Sequence, residues 1–141
     1  MIRLLAASDR LQFCTLLQQL TVINPAAISD SQFQARIGLI EQNQFHHVYV
    51  WEENGQVVAT ASLFIEPKFI HDLSYVGHIE DVVVDQSMRG QGIGNQLVQH
   101  ALSVAREAGC YKVILNCSEK NVEFYRKAGM EPKGVQMGYV F

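Results

Sequence analysis

The sequence predicts an α+β fold built on a mixed sheet. Three observations carry that expectation: apolar spacing that switches from a helical to a strand period, an Asn54-Gly55 pair between two alternating runs, and two later strand-to-helix steps. The 141 residues suit one domain, expected to span 1–141, and 48% hydrophobic with 18% charged residues is ordinary for a globular core. A formal net charge of −3 is the wrong sign for nucleic acid or an anionic membrane, so neither is an expected partner. Cys14, Cys110 and Cys117 are odd in number and lack paired metal-type spacing, which argues for reduced thiols in a cytoplasmic setting. His46 and His47 are adjacent, point to opposite faces of a strand and cannot share an ion, so no metal is expected.

Residues 2–6 read as a first strand, since the polar Ser8-Asp9-Arg10 arrives too soon for a signal peptide or a membrane span. Ser8 and Asp9 are good N-caps for a helix over 9–20, where Leu11, Leu16, Leu17 and Leu20 recur near helical spacing. A capping box, Ser29 with Gln32, opens a helix over 30–41 with Phe33, Ile37 and Ile40 on one face. Two alternating runs, 47–51 and 57–65, then flank Asn54-Gly55, the pair best suited to a type I′ turn, and form a hairpin. A strand over 77–85 passes into Met88-Arg89-Gly90-Gln91-Gly92-Ile93-Gly94. The following helix carries Leu97, Ala101, Leu102, Ala105 and Ala108 and stops at Gly109. A strand over 110–116, a short helix capped by Ser118 and ending near Ala128-Gly129, and a last strand from Val135 complete the order.

The segment between strand and helix carries the chemistry. A helix start offers unpaired backbone N–H groups and a partial positive charge, and glycines let a diphosphate approach them closely. No Lys follows these glycines, so the turn is not a P-loop. Leu97 stands where a dinucleotide fingerprint needs its third glycine, and Asn116 ends the next strand, so that fold is a poor match too.

Strand, Arg89-Gly90-Gln91-Gly92-Ile93-Gly94 and helix together resemble the acetyl-CoA loop of the GNAT acetyltransferase superfamily. Residues 77–84, 109–115 and 121–125 resemble, within it, the glucosamine-6-phosphate N-acetyltransferase family. The resemblance implies a mostly antiparallel central sheet flanked by helices, with a splayed cofactor cleft. It implies acetyl transfer from acetyl-CoA to the 2-amino group of glucosamine 6-phosphate, on the way to UDP-N-acetylglucosamine, in a homodimer with shared sites. Cofactor contacts carried over in this way are Val82, Val83, Val84, Arg89, Gly90, Gln91, Gly92, Ile93, Gly94, Asn121, Phe124 and Tyr125. Those to the sugar phosphate are Thr21, Lys68, Phe69, Ile70, His71, Glu80, Asp81, Tyr111 and Lys112.

The reaction asks for few parts, and the resemblance assigns them to Glu80, Asp81, Val82, Asn116 and Tyr125. Val82 N–H can meet a developing oxyanion if the strand bulges there, and Tyr125 can donate to the leaving sulfur. Glu80 or Asp81 can orient the amine or take its proton, and only a bulge would aim both side chains one way. Asn116 stands where relatives commonly carry an acid, and no basic residue follows Val135. Cys117, with no activating His at a suggestive spacing, reads as a core thiol. Competing expectations are an acetyltransferase of another small amine and a non-catalytic module that holds acetyl-CoA.

Overall fold

The changes of period along the chain convert into one sheet. In the computed structural model, which describes residues 1–141, five strands lie side by side in chain order. They are β1 (Ile2–Leu4), β2 (His46–Glu53), β3 (Gln56–Pro67), β4 (Tyr75–Val84) and β5 (Cys110–Ile114). Neighbours are antiparallel except β4 and β5, which run parallel. Helices α1 (Arg10–Leu17), α2 (Asp30–Glu41), α3 (Ile93–Glu107) and α4 (Val122–Arg126) flank the sheet. None of these helices is long and apolar enough to cross a membrane.

Strand alternation sorts the sheet into two faces. On one, Ala59, Ala61, Leu63 and Ile65 of β3 and Ile79 of β4 bury against Leu97, Val98, Ala101 and Ala105 of α3. A Cβ on Gly77 would lie 2.9 Å from Val113 Cγ2 and 3.2 Å from Ala105 Cβ, so its absence lets α3 seat closely on β4 and β5. On the other face, Leu16 of α1 packs with Val50, Val57 and Val83, and Cys14 packs with Phe33 and Ile37 of α2. Each buried Leu, Ile, Val or Phe among them contributes about 1.5–3 kcal/mol by leaving water, and each alanine methyl about 0.8 kcal/mol.

The local signals behave as their chemistry requires, with exceptions that tertiary contacts explain. Asn54 and Gly55 turn the β2–β3 hairpin with φ of 51° and 76°. Ser29 Oγ accepts the Gln32 N–H at 3.2 Å and Gln32 Oε1 accepts the Ser29 N–H at 2.9 Å. Asp9, by contrast, makes no side-chain cap on α1. Its carboxylate accepts from Arg3 Nη1 at 2.7 Å, Arg3 Nη2 at 2.9 Å and the Ala6 N–H at 2.8 Å, which ties β1 to the helix start. Burial alone would raise its pKa, and these donors outweigh burial and hold it below the usual value. Leu11 is exposed, and Phe13 and Cys14 take the inward face it was expected to share.

Three expectations are corrected. No strand forms from Val135: residues 131–141 are without regular structure, and Val135, Met137, Tyr139 and Phe141 are 91, 92, 84 and 111% exposed. Their alternation is a strand pattern, but a strand needs a partner edge and the tail engages none within one chain. Cys117 is exposed rather than in the core, because β5 ends at Ile114 and the chain leaves the sheet before reaching it. Ser118 precedes its turn without a side-chain capping bond.

Candidate active site

Pairing across the two edges of β4 is unequal. β3 follows β4 from Tyr75 to Val84, whereas β5 pairs only with Tyr75, Val76, Gly77 and His78. From Ile79 onward the β5-side edge of β4 has no strand partner, so main-chain polar groups line a wedge between two parallel strands. The splayed cleft expected at this point is therefore a gap in a hydrogen-bond ladder.

At the end of that edge the chain enters the glycine turn. Gly90 and Gly92 both have φ of 80°, a left-handed conformation that costs a glycine nothing, and Gly92 is the N-cap of α3 without a side-chain cap. Gln96 N–H is the first to find an acceptor, Gly92 C=O at 3.0 Å, and the N–H groups from Gly90 to Asn95 have none in the chain. The expected row of bare amides is thus present, backed by the helix dipole. Arg89 closes the turn by donating from Nε to Val84 C=O at 3.0 Å. A Cβ on Gly94 would meet Phe124 Cζ at 2.9 Å and Val84 Cγ2 at 3.0 Å, so this glycine joins β4, α3 and α4 at one point.

The expected bulge lies in β4. Ser62 is opposite Glu80 and Thr60 opposite Val83, so Asp81 and Val82 together face Ala61. Asp81 absorbs the extra residue with φ of 51°. The bulge re-aims Asp81 toward the α1–α2 face, where with Thr60 and Ser62 it lines a cavity of about 670 Å³ walled by Leu17, Phe33 and Ile37. Glu80, paired with Ser62, lies on that same face, so both acids are directed to one side.

α4 supplies the phenol. Tyr125 packs against the α3-side core and meets the Phe124 ring edge-on at 4.8 Å. Burial, with a smaller contribution from the neighbouring Cys117, pushes its pKa up to about 12, so near neutrality it is a protonated donor. Asn121, at the end of the turn before α4, and Asn116, past the end of β5, are exposed.

The remaining expected contacts gather elsewhere. His71 stacks on Tyr111 with centroids 3.9 Å apart, and Lys112 Nζ lies 5.5 Å from the same ring. His71, Asp72 and Leu73 are all left-handed, with φ of 51°, 58° and 62°, a turn held by Lys68 N–H to Ser74 C=O at 2.8 Å. Lys68 Nζ is engaged by Glu66 at 3.3 Å, and His78 holds the other carboxylate oxygen at 3.0 Å. Hydrogen bonds from His78 and then Lys68 hold Glu66 below its usual pKa. Phe69 and Ile70 are exposed beside them. This group sits at the Tyr75 end of β4, roughly 17 Å along the strand from Glu80 at about 3.3 Å per residue. Thr21 is exposed just past α1, where its N–H bonds Leu17 C=O at 3.1 Å.

The acetyltransferase (GNAT) family model matches residues 14–130, most of the chain and all of the wedge and turn. The chain belongs to the GNAT acetyltransferase family. Among its GNAT relatives is the glucosamine 6-phosphate N-acetyltransferase of Arabidopsis thaliana, 42% identical over 99% of this chain and 95% of that one. The enzyme of the same name from Trypanosoma brucei brucei is 40% identical over 96% and 92%. The crystal structure of the Arabidopsis enzyme superposes with a TM-score of 0.95, covering 100% of this chain and 97% of that one.

Within this GNAT scaffold the sequence had given no sign of Thr60 and Ser62 as partners of Asp81 in lining a cavity, since their role follows from strand register alone. Gln19 was missed as well. It donates to Asp85 Oδ2 at 2.8 Å and accepts the Gln86 N–H at 2.9 Å, contacts that bridge more than sixty positions of sequence and leave no local trace.

Proposed function

We propose that residues 1–141 act as one acetyltransferase domain that moves acetyl from acetyl-CoA to the 2-amino group of glucosamine 6-phosphate. The product is N-acetylglucosamine 6-phosphate, a precursor of UDP-N-acetylglucosamine. The unpaired β4 edge running into a turn of bare amides carries the cofactor half of this reading. Identity of 40–42% over nearly the whole chain to enzymes named for this substrate supports the acceptor half.

The residues present fit the cofactor. Amides from Gly90 to Asn95 would hold its diphosphate, and Val82 to Val84 would pair with its pantetheine arm as an added strand does. Asn121 and Phe124 would border it from the α4 side. Bound acetyl-CoA supplies an electrophilic thioester carbonyl and a thiolate leaving group. As the C–N bond forms and the C–S bond breaks, Asp81 or Glu80 would orient the acceptor ammonium and take its first proton, Val82 N–H would donate to the carbonyl oxygen at the bulge, and Tyr125 would protonate the departing sulfur and be reprotonated by the second proton that the nitrogen loses. Asn116 accepts a hydrogen bond from the amine but cannot take its proton.

A second copy completes the acceptor site in this proposal. Lys68 to His71 with Tyr111 and Lys112 lie too far along β4 to reach an amine at Asp81 in the same chain, and the apolar tail has no partner of its own. A homodimer that sets one chain's Tyr75 end against the other's bulge answers both. Free thiols at Cys14, Cys110 and Cys117 suit the reducing cytoplasm.

The test is CoA release with a panel of amines. Turnover is expected with glucosamine 6-phosphate and to be much weaker with unphosphorylated glucosamine. Turnover on another amine and none on this one would overturn the substrate. Sedimentation of the full chain and of a chain lacking residues 135–141 tests the dimer: a full chain that stays monomeric refutes it.

A further inference from the structure

The glycine turn touches the rest of the molecule in one unexpected place. For residues 86–92, the hydrogen bonds within the segment and to its flanking strand and helix include Met88 N–H to Asp85 C=O at 2.9 Å and Arg89 Nε to Val84 C=O at 3.0 Å. The one from elsewhere in the chain is the Gln86 N–H to Gln19 Oε1 at 2.9 Å. Gln19 Nε2 at the same time donates to Asp85 Oδ2 at 2.8 Å. Asp85 Oδ1 accepts the Ser87 N–H at 2.9 Å, and Ser87 Oγ also donates to it. The carboxylate thus stays charged, held below its usual pKa by Ser87 first and Gln19 second.

Gln19 itself is fixed by the end of α1. Its N–H bonds Leu16 C=O at 3.0 Å, and the same winding carries Thr21, whose N–H bonds Leu17 C=O at 3.1 Å. One primary amide therefore clamps the entry to the cofactor turn from the first residues of the α1–α2 connection, which follows Leu17. That connection is pinned at its far end by Arg10, which donates from Nη1 to Ile28 C=O at 3.0 Å and pairs with Asp30. The α1–α2 connection, which follows Leu17 at the wall of the cavity that Asp81 lines, is hydrogen-bonded to the entry of the glycine turn through one side chain, and an ordered partner on one side lowers the ordering cost on the other.

We infer that Gln19 is a positioning residue that couples acceptor binding to cofactor binding. The inference rests on the function proposed above. Gln19 touches neither ligand, and it acts by holding the backbone at Asp85 and Gln86 against the α1–α2 connection. Reciprocity requires that CoA and the sugar phosphate then tighten each other by one and the same factor.

Calorimetry of CoA on the full chain, with and without glucosamine 6-phosphate, tests it. Gln19→Ala should weaken CoA about fivefold, the worth of one or two partly exposed hydrogen bonds, and bring the mutual factor close to one while the melting temperature barely moves. Gln19→Glu should be as weak, because two carboxylates then face each other. Gln19→Glu combined with Asp85→Asn should restore both quantities: the Glu oxygens accept from the Asn amide and the Gln86 N–H, and the remaining Asn oxygen still accepts from Ser87. A merely structural role would instead lower the melting temperature in Gln19→Ala and leave the mutual factor unchanged. Wild-type CoA binding unchanged in Gln19→Ala, or no recovery in the double variant, overturns the inference alone. A wild-type chain that binds no CoA overturns the proposed function, and the inference falls with it.

Discussion

The two edges of β4 are made of the same ten residues and do opposite things. Toward β3 the strand is paired along its length and spends one residue on a bulge at Asp81. Toward β5 it is paired for four residues and then left open. The paired edge fixes the direction of two acids, and the open edge keeps main-chain groups available. A single strand can thus be rigid and receptive at once, because rigidity comes from one neighbour and receptivity from the departure of the other.

Tyr125→Phe should have the largest effect on turnover. Loss of a proton donor at the open edge lowers kcat by about a hundredfold with KM for acetyl-CoA nearly unchanged. Because its phenol titrates at about 12, the wild-type rate should show no decline from this group through pH 10. The same raised pKa adds stability that is complete below pH ~10 and is lost as pH rises through about 12, an alkaline slope that Tyr125→Phe should remove from urea melts. An unchanged kcat would separate the open edge from the chemistry.

Asp81→Gly probes the paired edge. Removing the carboxylate should cut kcat about tenfold or more, and thermal stability should not fall, since glycine accepts a φ of 51° that costs other residues roughly 1–2 kcal/mol. A clear drop in melting temperature would mean that Asp81 is a structural residue. Gly94→Ala sharpens the corner where the edges end. Its Cβ pushes on Phe124 and Val84, and an overpacking cost of about 1–2 kcal/mol should appear as a rise of up to about tenfold in the KM for acetyl-CoA with kcat spared. Arg3→Met, remote from both edges, should leave kinetics untouched. It should lower stability at pH 7 by about 1–2 kcal/mol, and the difference from wild type should shrink as pH falls through the depressed pKa of Asp9.

Much of the sheet could be read in advance because its determinants are local. The Asn54-Gly55 turn, the Ser29–Gln32 box and the Leu97–Ala101–Ala105 stripe each act over a few residues. The bare amides from Gly90 to Asn95 were legible for the same reason, as glycine at a helix start needs no distant partner. What escaped depends on distance. The tail from Val135 has the alternation of a strand without an edge to join, and the left-handed turn at His71 to Leu73 carries no glycine and is held by a stack on Tyr111, forty positions away. Asp9 was a plausible cap until Arg3 claimed it.

The wedge beside β4 has a bearing on how the chain can drift. Its recognition groups are amides and carbonyls, which every residue but proline presents alike. Exchanging Val82 or Val84 for another strand-forming side chain leaves those groups where they were. A saturation library should therefore exclude proline along the wedge, accept other strand-forming side chains at Val82 and Val84, and show narrow tolerance at the buried Ile79 and Val83 and at Gly92, Gly94 and Tyr125, so that drift in side chains need not loosen a grip made by the main chain.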